Sequence, residues 1–164
     1  MTEEEFALMV DNIAAEGVLA DSEAEIIQNT IKFDETKVEK VMTKAEDITA
    51  VCITDGFKSI KKVFVESNFS RVPVYDENKR DIIGILYRAD FYEMLLGNKS
   101  DLTKILKPVL YITSDAVISD TFELLQEQQV PQAIVKDNGV ITGLISMEDI
   151  LEELVGEIDD KYDL

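Results

Sequence analysis

The sequence lacks most of the side chains on which catalysis at neutral pH depends. Its 164 residues include no histidine, no tryptophan and a single cysteine, Cys52. The absence of histidine excludes Ser-His-Asp triads and Cys/His zinc sites, and one cysteine cannot form an internal disulfide. Phosphate-binding loops of the GxxxxGK[ST] and GxGxxG types are also missing. We therefore predict a protein without enzyme activity, with no catalytic residue, no metal ligand and no catalytic cofactor.

Long apolar runs and signal-peptide features are absent as well. The longest apolar runs reach only five residues, as at residues 82–86, whereas a helix that crosses a bilayer needs about 20. The N-terminus has neither the basic nor the apolar region of a signal peptide. We expect a soluble chain in a reducing, cytoplasmic environment.

Basic residues are scarce at both ends of the chain, whose formal net charge is −18. Residues 1–36 contain ten acidic residues and one lysine, and residues 148–164 contain eight acidic residues and one lysine. The middle is nearly neutral, with 16 acidic and 14 basic residues. No concentrated basic surface is visible that could replace phosphate counterions, so nucleic acid binding is not expected. The acidic ends suit either divalent cations or plain solvated helix faces.

What the sequence does contain is an internal repeat. Residues 71–76 (RVPVYD) and 82–86 (IIGIL) reappear as residues 132–137 (QAIVKD) and 140–145 (VITGLI). Gly84 and Gly143 are 59 positions apart, as are Asp90 and Asp149. This period predicts two copies of a unit that is too small to bury its apolar face alone. A functional cleft is then expected between the copies.

Each copy is predicted to follow the order strand, helix, strand, strand, helix. The elements fall near residues 50–53, 56–67, 72–76, 82–87 and 89–96, and again near residues 110–113, 117–128, 132–137, 140–145 and 147–156. The Asn138-Gly139 pair is typical of a tight hairpin, which makes the strands around it antiparallel neighbours. This order predicts an α+β fold of two βαββα repeats, packed as a pseudo-twofold pair and preceded by N-terminal linker helices.

Two helices are predicted before the repeats. Residues 2–5 (TEEE) and 22–25 (SEAE) both have the form of a capping box, in which Thr or Ser precedes the helix and Glu lies three residues later. Apolar residues then recur at helical spacing, and Gly17 separates the two helices. The predicted organisation is a helical linker at residues 1–36, a first repeat at 37–97, a second at 98–158 and an acidic tail at 159–164.

The strongest local signal for function is the segment 143–149 (GLISMED). It places the Ser146 hydroxyl at the end of a strand and the Asp149 carboxylate in the first turn of the next helix. At the positively polarised end of a helix this pair suits a nucleotide, because the carboxylate would accept from the ribose diol while Ser146 and free backbone N–H groups would meet phosphate. The same pattern is that of a capping box, in which Ser146 only stabilises the helix by about 1 kcal/mol. The segment alone does not decide between the two.

The first copy favours the ligand interpretation. Tyr87 stands there in the place of Ser146, so the same helix is expected without a hydroxyl cap. Because the fold does not demand the serine, we predict a ligand role in the second copy and a degenerate or blocked site in the first.

These features resemble a known family. The repeated units, with Gly143, Ser146 and Asp149 in the pattern G-h-x-[S/T]-x-x-D, resemble a tandem pair of CBS domains, or Bateman module. Residues 38–43 (VEKVMT), 70–75 (SRVPVY) and 146–158 (SMEDILEELVGEI) are similar to the CorC/HlyC class of hemolysin-like proteins. These are membrane proteins associated with magnesium and cobalt efflux, and they are related to the animal CNNM transporters.

The resemblance implies an adenine nucleotide in the cleft between the repeats: AMP, ADP or ATP, the last of these in many members with Mg²⁺. The family's contact positions fall on Thr43, Phe69, Ser70, Arg71, Pro73, Ser146 and Asp149. Asp149 would hold the ribose, Ser146 the ribose or phosphate, and Thr43 the base or sugar.

The remaining four positions would surround the base and phosphates. Phe69, Ser70 and Arg71 would reach the phosphates or flank the ring, and Pro73 would lie against the adenine. A guanidinium such as that of Arg71 is well shaped for bidentate phosphate contact. Without the resemblance, Arg71 suits a surface salt bridge equally well, and Phe69 and Pro73 suit the core.

The resemblance also implies partners and a role. It predicts a head-to-head homodimer whose N-terminal helices lead to a membrane transport domain, so that the chain would be a soluble fragment at the cytoplasmic face of the membrane. The leading hypothesis is a regulatory nucleotide sensor for divalent-cation (Mg/Co) transport or efflux. The alternative is a divalent-cation-sensing or dimerisation module that works without nucleotide and uses the carboxylates of Glu152, Glu153, Glu157, Asp159 and Asp160.

Overall fold

The computed structural model describes residues 2–17 and 20–156, except for the side chains of Asp21 and Ser22. The helices in this part of the chain are α1 (Glu3–Ala15), α2 (Asp21–Phe33), α3 (Phe57–Ser67), α4 (Arg88–Leu96), α5 (Ile118–Gln128) and α6 (Met147–Val155). The strands are β1 (Thr43–Lys44), β2 (Val51–Cys52), β3 (Arg71–Tyr75), β4 (Ile82–Tyr87), β5 (Tyr111–Ile112), β6 (Gln132–Asp137) and β7 (Val140–Ser146). The acidic tail predicted at residues 159–164 lies outside the described residues.

The element order confirms the α+β class and the βαββα repeats. The first repeat is β2-α3-β3-β4-α4 and the second is β5-α5-β6-β7-α6. The predicted hairpin turn is confirmed, since Asn138 and Gly139 have φ angles of 50° and 78° and join strands that are neighbours in one sheet. Positive φ at both central residues is the mark of a type I′ turn, which suits the twist of the strands. Among the described helices, none is long and apolar enough to cross a membrane.

The strands form two small sheets. In the three-stranded sheet, ordered β2-β3-β4, β2 runs parallel to β3 and β3 runs antiparallel to β4. The four-stranded sheet has the order β1-β7-β6-β5. Strand β1 lies before β2, the first strand of the βαββα order, yet it is the neighbour of β7 of the second repeat, which the repeat pattern did not predict.

The chain forms two compact units that interleave along the sequence. The first unit comprises residues 2–42, 112–133 and 144–156 of the described chain, and the second comprises residues 43–111 and 134–143. This division by contacts differs from the predicted division by sequence repeat, whose boundaries stay a prediction.

The core of the second unit lies between α3, α4 and the three-stranded sheet. Its buried side chains are Val51, Ile60, Phe64, Val72, Val74, Leu86, Phe91, Met94 and Leu102. The rings of Phe64 and Phe91 lie 5.7 Å apart between centroids, which joins the two helices through an aromatic pair. In β4, Gly84 is buried against Leu106.

The first unit holds the helical hairpin of α1 and α2. The capping box predicted at residues 2–5 is confirmed, because Glu5 N donates to Thr2 Oγ1 at 3.1 Å and Thr2 N donates to Glu5 Oε2 at 3.4 Å. The box predicted at residues 22–25 is wrong, because α2 already begins at Asp21 and its N-cap is Ala20. A local pattern identifies such a helix start only to within a residue or two.

Helix α2 is held by the other helices of the first unit. Gln28 Nε2 donates to Ala7 O at 2.7 Å and thereby ties α2 to α1, while Phe33 meets Phe122 of α5 edge-on. Helix α2 also packs against α6. Gly156 ends α6 with φ 76° and ψ −164°, a conformation essentially restricted to glycine, and a Cβ there would lie 2.8 Å from Glu25 Oε1 of α2.

Candidate functional site

Ser146 and Asp149 form a reciprocal capping box at the start of α6. Asp149 N donates to Ser146 Oγ at 3.1 Å, and Ser146 N donates to Asp149 Oδ2 at 3.0 Å. The capping interpretation of this segment is therefore confirmed. The capping box nevertheless leaves some hydrogen-bonding capacity on both side chains. Ser146 Oγ acts as an acceptor in the box, so its hydroxyl hydrogen is left to donate, and Asp149 Oδ1 accepts no hydrogen bond from the described residues.

Fewer backbone N–H groups at the N-terminus of α6 are free to bind a ligand than the sequence predicted. Met147 N donates to Pro131 O at 2.9 Å, and Asp149 N is used by the capping box. The expectation that free N–H groups of this terminus would meet phosphate is therefore wrong for these two residues. The local pattern could not reveal this, because Pro131 belongs to another part of the chain.

The first repeat builds the corresponding helix without a hydroxyl cap. Helix α4 has Tyr87 as its N-cap and no side-chain capping bond. The prediction that this helix forms without the serine is thus confirmed, which shows that the βαββα unit does not depend on such a cap.

Arg88, which follows Tyr87, binds the segment that carries three of the predicted site residues. Its Nε donates to Phe69 O at 3.0 Å, its Nη2 donates to the same oxygen, and its backbone N donates to Ser70 O at 2.9 Å. Sequence reasoning missed this residue, because nothing in its neighbourhood signals a contact with a carbonyl 19 positions earlier. Arg88 fixes the backbone of residues 69–70 and therefore positions their side chains.

Phe69 and Ser70 are exposed, and the Phe69 side chain keeps 51% of its surface accessible. They lie between α3 and β3, directly after Asn68, whose φ of 60° ends α3 in the left-handed conformation. Arg71 is half-buried and begins β3. The exposed aromatic ring and the neighbouring hydroxyl and guanidinium groups match the chemistry of a base and a phosphate.

Pro73 is buried in β3, opposite Ile85 of β4. Ile85 N and O bond to Lys107 O and N at 3.0 and 2.9 Å, so Ile85 does not require an N–H group from position 73. The missing N–H of proline therefore costs the ladder between β3 and β4 nothing.

The seven predicted residues fall into two groups. Thr43, half-buried in β1, belongs to the second unit together with Phe69, Ser70, Arg71 and Pro73. Ser146 and Asp149 belong to the first unit. Among the residues that the structure describes, no cluster of three or more carboxylate or thiol side chains is arranged to hold a metal ion. Three residues of the acidic set considered above, Glu157, Asp159 and Asp160, lie outside the described residues.

A polar cluster in the second unit was also missed by sequence reasoning. Lys136 Nζ lies 2.9 Å from Asp81 Oδ1 and 5.0 Å from the centre of the Tyr111 ring. The Tyr111 hydroxyl donates to Ile82 O at 2.5 Å. The hydrogen bond from Lys136 is the main cause that holds the pKa of Asp81 below its usual value, and burial is the main cause that raises the pKa of Tyr111 to about 12.

We expect Asp81→Asn to destabilise the protein at pH 7 by about 0.2–1 kcal/mol, since this half-exposed pair is partly screened by solvent. The carboxyl pKa is lower in the folded state, so its contribution is present above the unfolded pKa of about 3.9 and is lost as the pH falls through the folded value. The melting-temperature difference from the parent should thus hold between about pH 7 and pH 5 and close below about pH 4. Glu77→Gln, in the same loop, is the control, and a difference that persists at low pH would contradict the assignment.

Comparison with known proteins identifies the family. The CBS domain model matches residues 38–97 and 100–156, so the chain belongs to the CBS domain family and carries two copies of the domain. It is 33% identical over 157 residues to the UPF0053 protein MG146 of Mycoplasma genitalium, covering 94% of this chain and 37% of that protein. It is 34% identical over 146 residues to Hemolysin C of Brachyspira hyodysenteriae, covering 88% and 54%. The chain thus spans about a third to about half of these relatives' lengths.

Solved structures agree with this assignment. The CBS domain of a bacterial CNNM/CorC family Mg²⁺ transporter matches with a TM-score of 0.85 and 28% identity, over 96% of this chain and 98% of that one. A CBS domain of that transporter family in complex with ATP matches with a TM-score of 0.75 and 28% identity, over 83% and 99%. A CBS-domain pair with bound AMP from Klebsiella pneumoniae matches with a TM-score of 0.64 and 26% identity, over 74% and 99%. The resemblance to a CBS pair of the CNNM/CorC type is confirmed.

Proposed function

We propose that this chain is a regulatory, non-enzymatic CBS pair that binds an adenine nucleotide. The observation that carries the proposal is the state of Ser146 and Asp149, which keep a hydroxyl donor and a carboxylate oxygen available while the capping box holds both side chains in place. Two similar CBS structures, which hold ATP and AMP, support an adenine nucleotide as the ligand.

Each of the predicted residues contacts a different part of the nucleotide. Asp149 Oδ1 accepts from a ribose hydroxyl, and the Ser146 hydroxyl donates to the ribose or phosphate. Thr43 contacts the base or sugar from β1. The capping box already holds both side chains in place, so they lose little further conformational entropy when the ligand binds.

The segment after α3 supplies the rest of the site. Phe69 flanks the adenine ring or the phosphates, Pro73 lies against the adenine, and Ser70 and Arg71 contact the phosphates. Arg88 supports this group indirectly by holding the Phe69 and Ser70 carbonyl oxygens. The presence of Tyr87 at the position of Ser146 argues for a single nucleotide site, because the first repeat has no serine hydroxyl held by a capping box there.

Helix α6 connects the candidate ligand groups Ser146 and Asp149 to the N-terminal helix α2 within the first unit. The candidate ligand groups lie at its N-terminus, and Gly156 at its C-terminus abuts α2. A nucleotide that binds one position of α6 more tightly than another would therefore bias the position of α2 by its difference in affinity. We assign the helices of residues 1–36 the role of linker between this sensor and a membrane domain involved in divalent-cation (Mg/Co) transport or efflux.

The remaining expectations belong to the same proposal. The repeats are bounded at residues 37–97 and 98–158, the protein acts at the cytoplasmic face of the membrane, and it forms a head-to-head homodimer. The CBS domain matches at residues 38–97 and 100–156 support the repeat bounds, and the similarity to CBS domains of CNNM/CorC family transporters supports the link to a membrane transporter.

A melting-temperature screen tests the nucleotide proposal. AMP, ADP and ATP are each added with and without Mg²⁺ to the purified chain. A nucleotide at about 100 times its Kd should add about 2.7 kcal/mol of stability, or roughly 5 to 10 °C for a protein of this size. GTP is the control for the base.

Two outcomes would count against the proposal. The first is the absence of any adenine-dependent stabilisation at millimolar concentration. The second is stabilisation by Mg²⁺ alone that disappears on neutralising Glu157 and Asp159, which would favour the divalent-cation alternative.

A further inference from the structure

The helical hairpin carries a groove that is apolar inside and acidic outside. The groove lies between the first turn of α1 and the last turns of α2 and has a volume of about 590 Å³. Phe6, Ile27 and Ile31 form its apolar lining, whereas Glu3 and Asp34 contribute carboxylates. A cavity of this size is large enough to take several side chains of a partner segment.

Apolar side chains around the groove remain exposed. Phe6, which lines it, keeps 41% of its surface accessible, and Met9, one turn further along α1, keeps 42%. Ile26 of α2 is also exposed. Grouped apolar side chains on an otherwise charged surface mark a site of association rather than a solvated face.

The charge of the segment that forms the groove is predominantly negative. Residues 1–36 include ten acidic residues, and Lys32 is their only base. The two acidic side chains that line the groove, those of Glu3 and Asp34, are exposed. Charge complementarity therefore calls for a partner rich in lysine or arginine.

Other occupants fit this surface poorly. Anionic lipid and nucleic acid would be repelled by the carboxylates. A second copy of the chain carries the same net charge of −18, so a contact between two such hairpins would oppose like charges.

From these observations we propose that the α1–α2 groove binds a basic amphipathic helix. Apolar residues of that helix at positions i, i+3 or i+4, and i+7 would enter the groove and contact Phe6, Ile27 and Ile31. Its lysine and arginine side chains would lie opposite Glu3 and Asp34. This proposal rests on the groove alone and does not require the function proposed above.

A labelled model peptide tests the proposal by fluorescence anisotropy. The probe is a helix of about 18 residues with leucine at the positions given above and lysine elsewhere. The first control peptide has the same composition in scrambled order, and the second has glutamate in place of lysine. We expect the amphipathic basic peptide to bind at least about tenfold more tightly than either control, and to bind more weakly at about 300 mM than at about 50 mM salt.

Matched variants locate the contact. Asp34→Lys reverses a charge at the groove, and Glu23→Lys makes the same change in the first turn of α2, at the other end of the hairpin. We expect Asp34→Lys to weaken binding at least about fivefold more than Glu23→Lys, because opposite charges act most strongly at short range. Phe6→Ala, at a half-exposed position, should weaken binding by about tenfold through lost apolar burial. Circular dichroism verifies that each variant keeps its helix content.

The proposal is overturned if the scrambled peptide binds as tightly as the amphipathic one, since attraction would then be unspecific. Equal effects of Asp34→Lys and Glu23→Lys, no effect of Phe6→Ala, or no binding of the basic peptide below about 1 mM would also overturn it.

Discussion

Replacing Asp149 with asparagine is expected to weaken adenine-nucleotide binding by about 10- to 100-fold. The asparagine oxygen can still accept from Ser146 N, so the capping box keeps its geometry. The second carboxylate oxygen, however, becomes an NH₂ group that cannot accept from a ribose hydroxyl, and the negative charge is lost. Hydrogen bonds to charged groups contribute about 1.5–3 kcal/mol, and about 1.4 kcal/mol corresponds to a tenfold change in Kd.

Calorimetric titration of the preferred nucleotide measures this effect. Glu153→Gln is the matched control, because it removes one carboxylate from the same helix at an exposed position away from the capping box. Its Kd should stay within about twofold of the parent. Thermal unfolding of Asp149→Asn should show a loss of no more than about 1 kcal/mol, from the charge at the helix N-terminus. Unchanged affinity in a folded Asp149→Asn variant would assign this residue to helix capping alone.

Gly84→Ala is expected to destabilise the second unit by about 1–3 kcal/mol, the usual cost of overpacking a core. A Cβ at this position would lie 2.7 Å from Leu106 Cβ and 3.0 Å from Leu106 Cδ1. The Leu106 Cβ is attached directly to the backbone, so a rotamer change cannot move it away. Strand β4 or the segment around Leu106 must shift instead, against the bonds between Ile85 and Lys107.

Urea unfolding measures this loss of stability, with Gly97→Ala as the control. A Cβ on Gly97 meets only ordinary contacts, the nearest being Glu93 O at 3.5 Å. The double variant Gly84→Ala/Leu106→Ala provides a second check: Leu106→Ala should cost less stability in the Gly84→Ala background than in the parent, because it relieves part of the clash. Equal costs of Gly84→Ala and Gly97→Ala would show that Leu106 does not press on this glycine, whereas strict additivity in the double variant would assign the clash to the Leu106 Cβ, which alanine retains.

Much of the fold followed from short-range patterns. The helical spacing of apolar residues in the N-terminal segment, the Asn138-Gly139 turn and the capping box at Thr2 each act over a few residues, and the structure confirms them. The exception is α2, where Ser22 suggested an N-cap and the helix begins at Asp21. The N-cap is Ala20, which has no side-chain capping bond, so no local capping signal marks this helix start.

Less of the candidate site could be predicted from short-range sequence patterns. The segment 143–149 allowed both a capping box and a ligand site, and the structure confirms the first while leaving one oxygen and one hydroxyl donor for the second. Arg88 and its bonds to the Phe69 carbonyl were missed, as were the contacts of Lys136 with Asp81 and Tyr111. Each of these joins residues that are 19 or more positions apart, and a local pattern carries no information on such distances.

By itself, the sequence determined the repeated βαββα order, its turns and the chemical groups that each repeat offers. These depend on backbone preferences and hydrogen bonds within a few residues, so they are already present in the linear order. The tertiary structure alone decided that β1 joins β7, that the Met147 amide is taken up by Pro131, and that α6 ends against α2. Those outcomes depend on which distant surfaces bury each other, and only the folded chain brings the partners together.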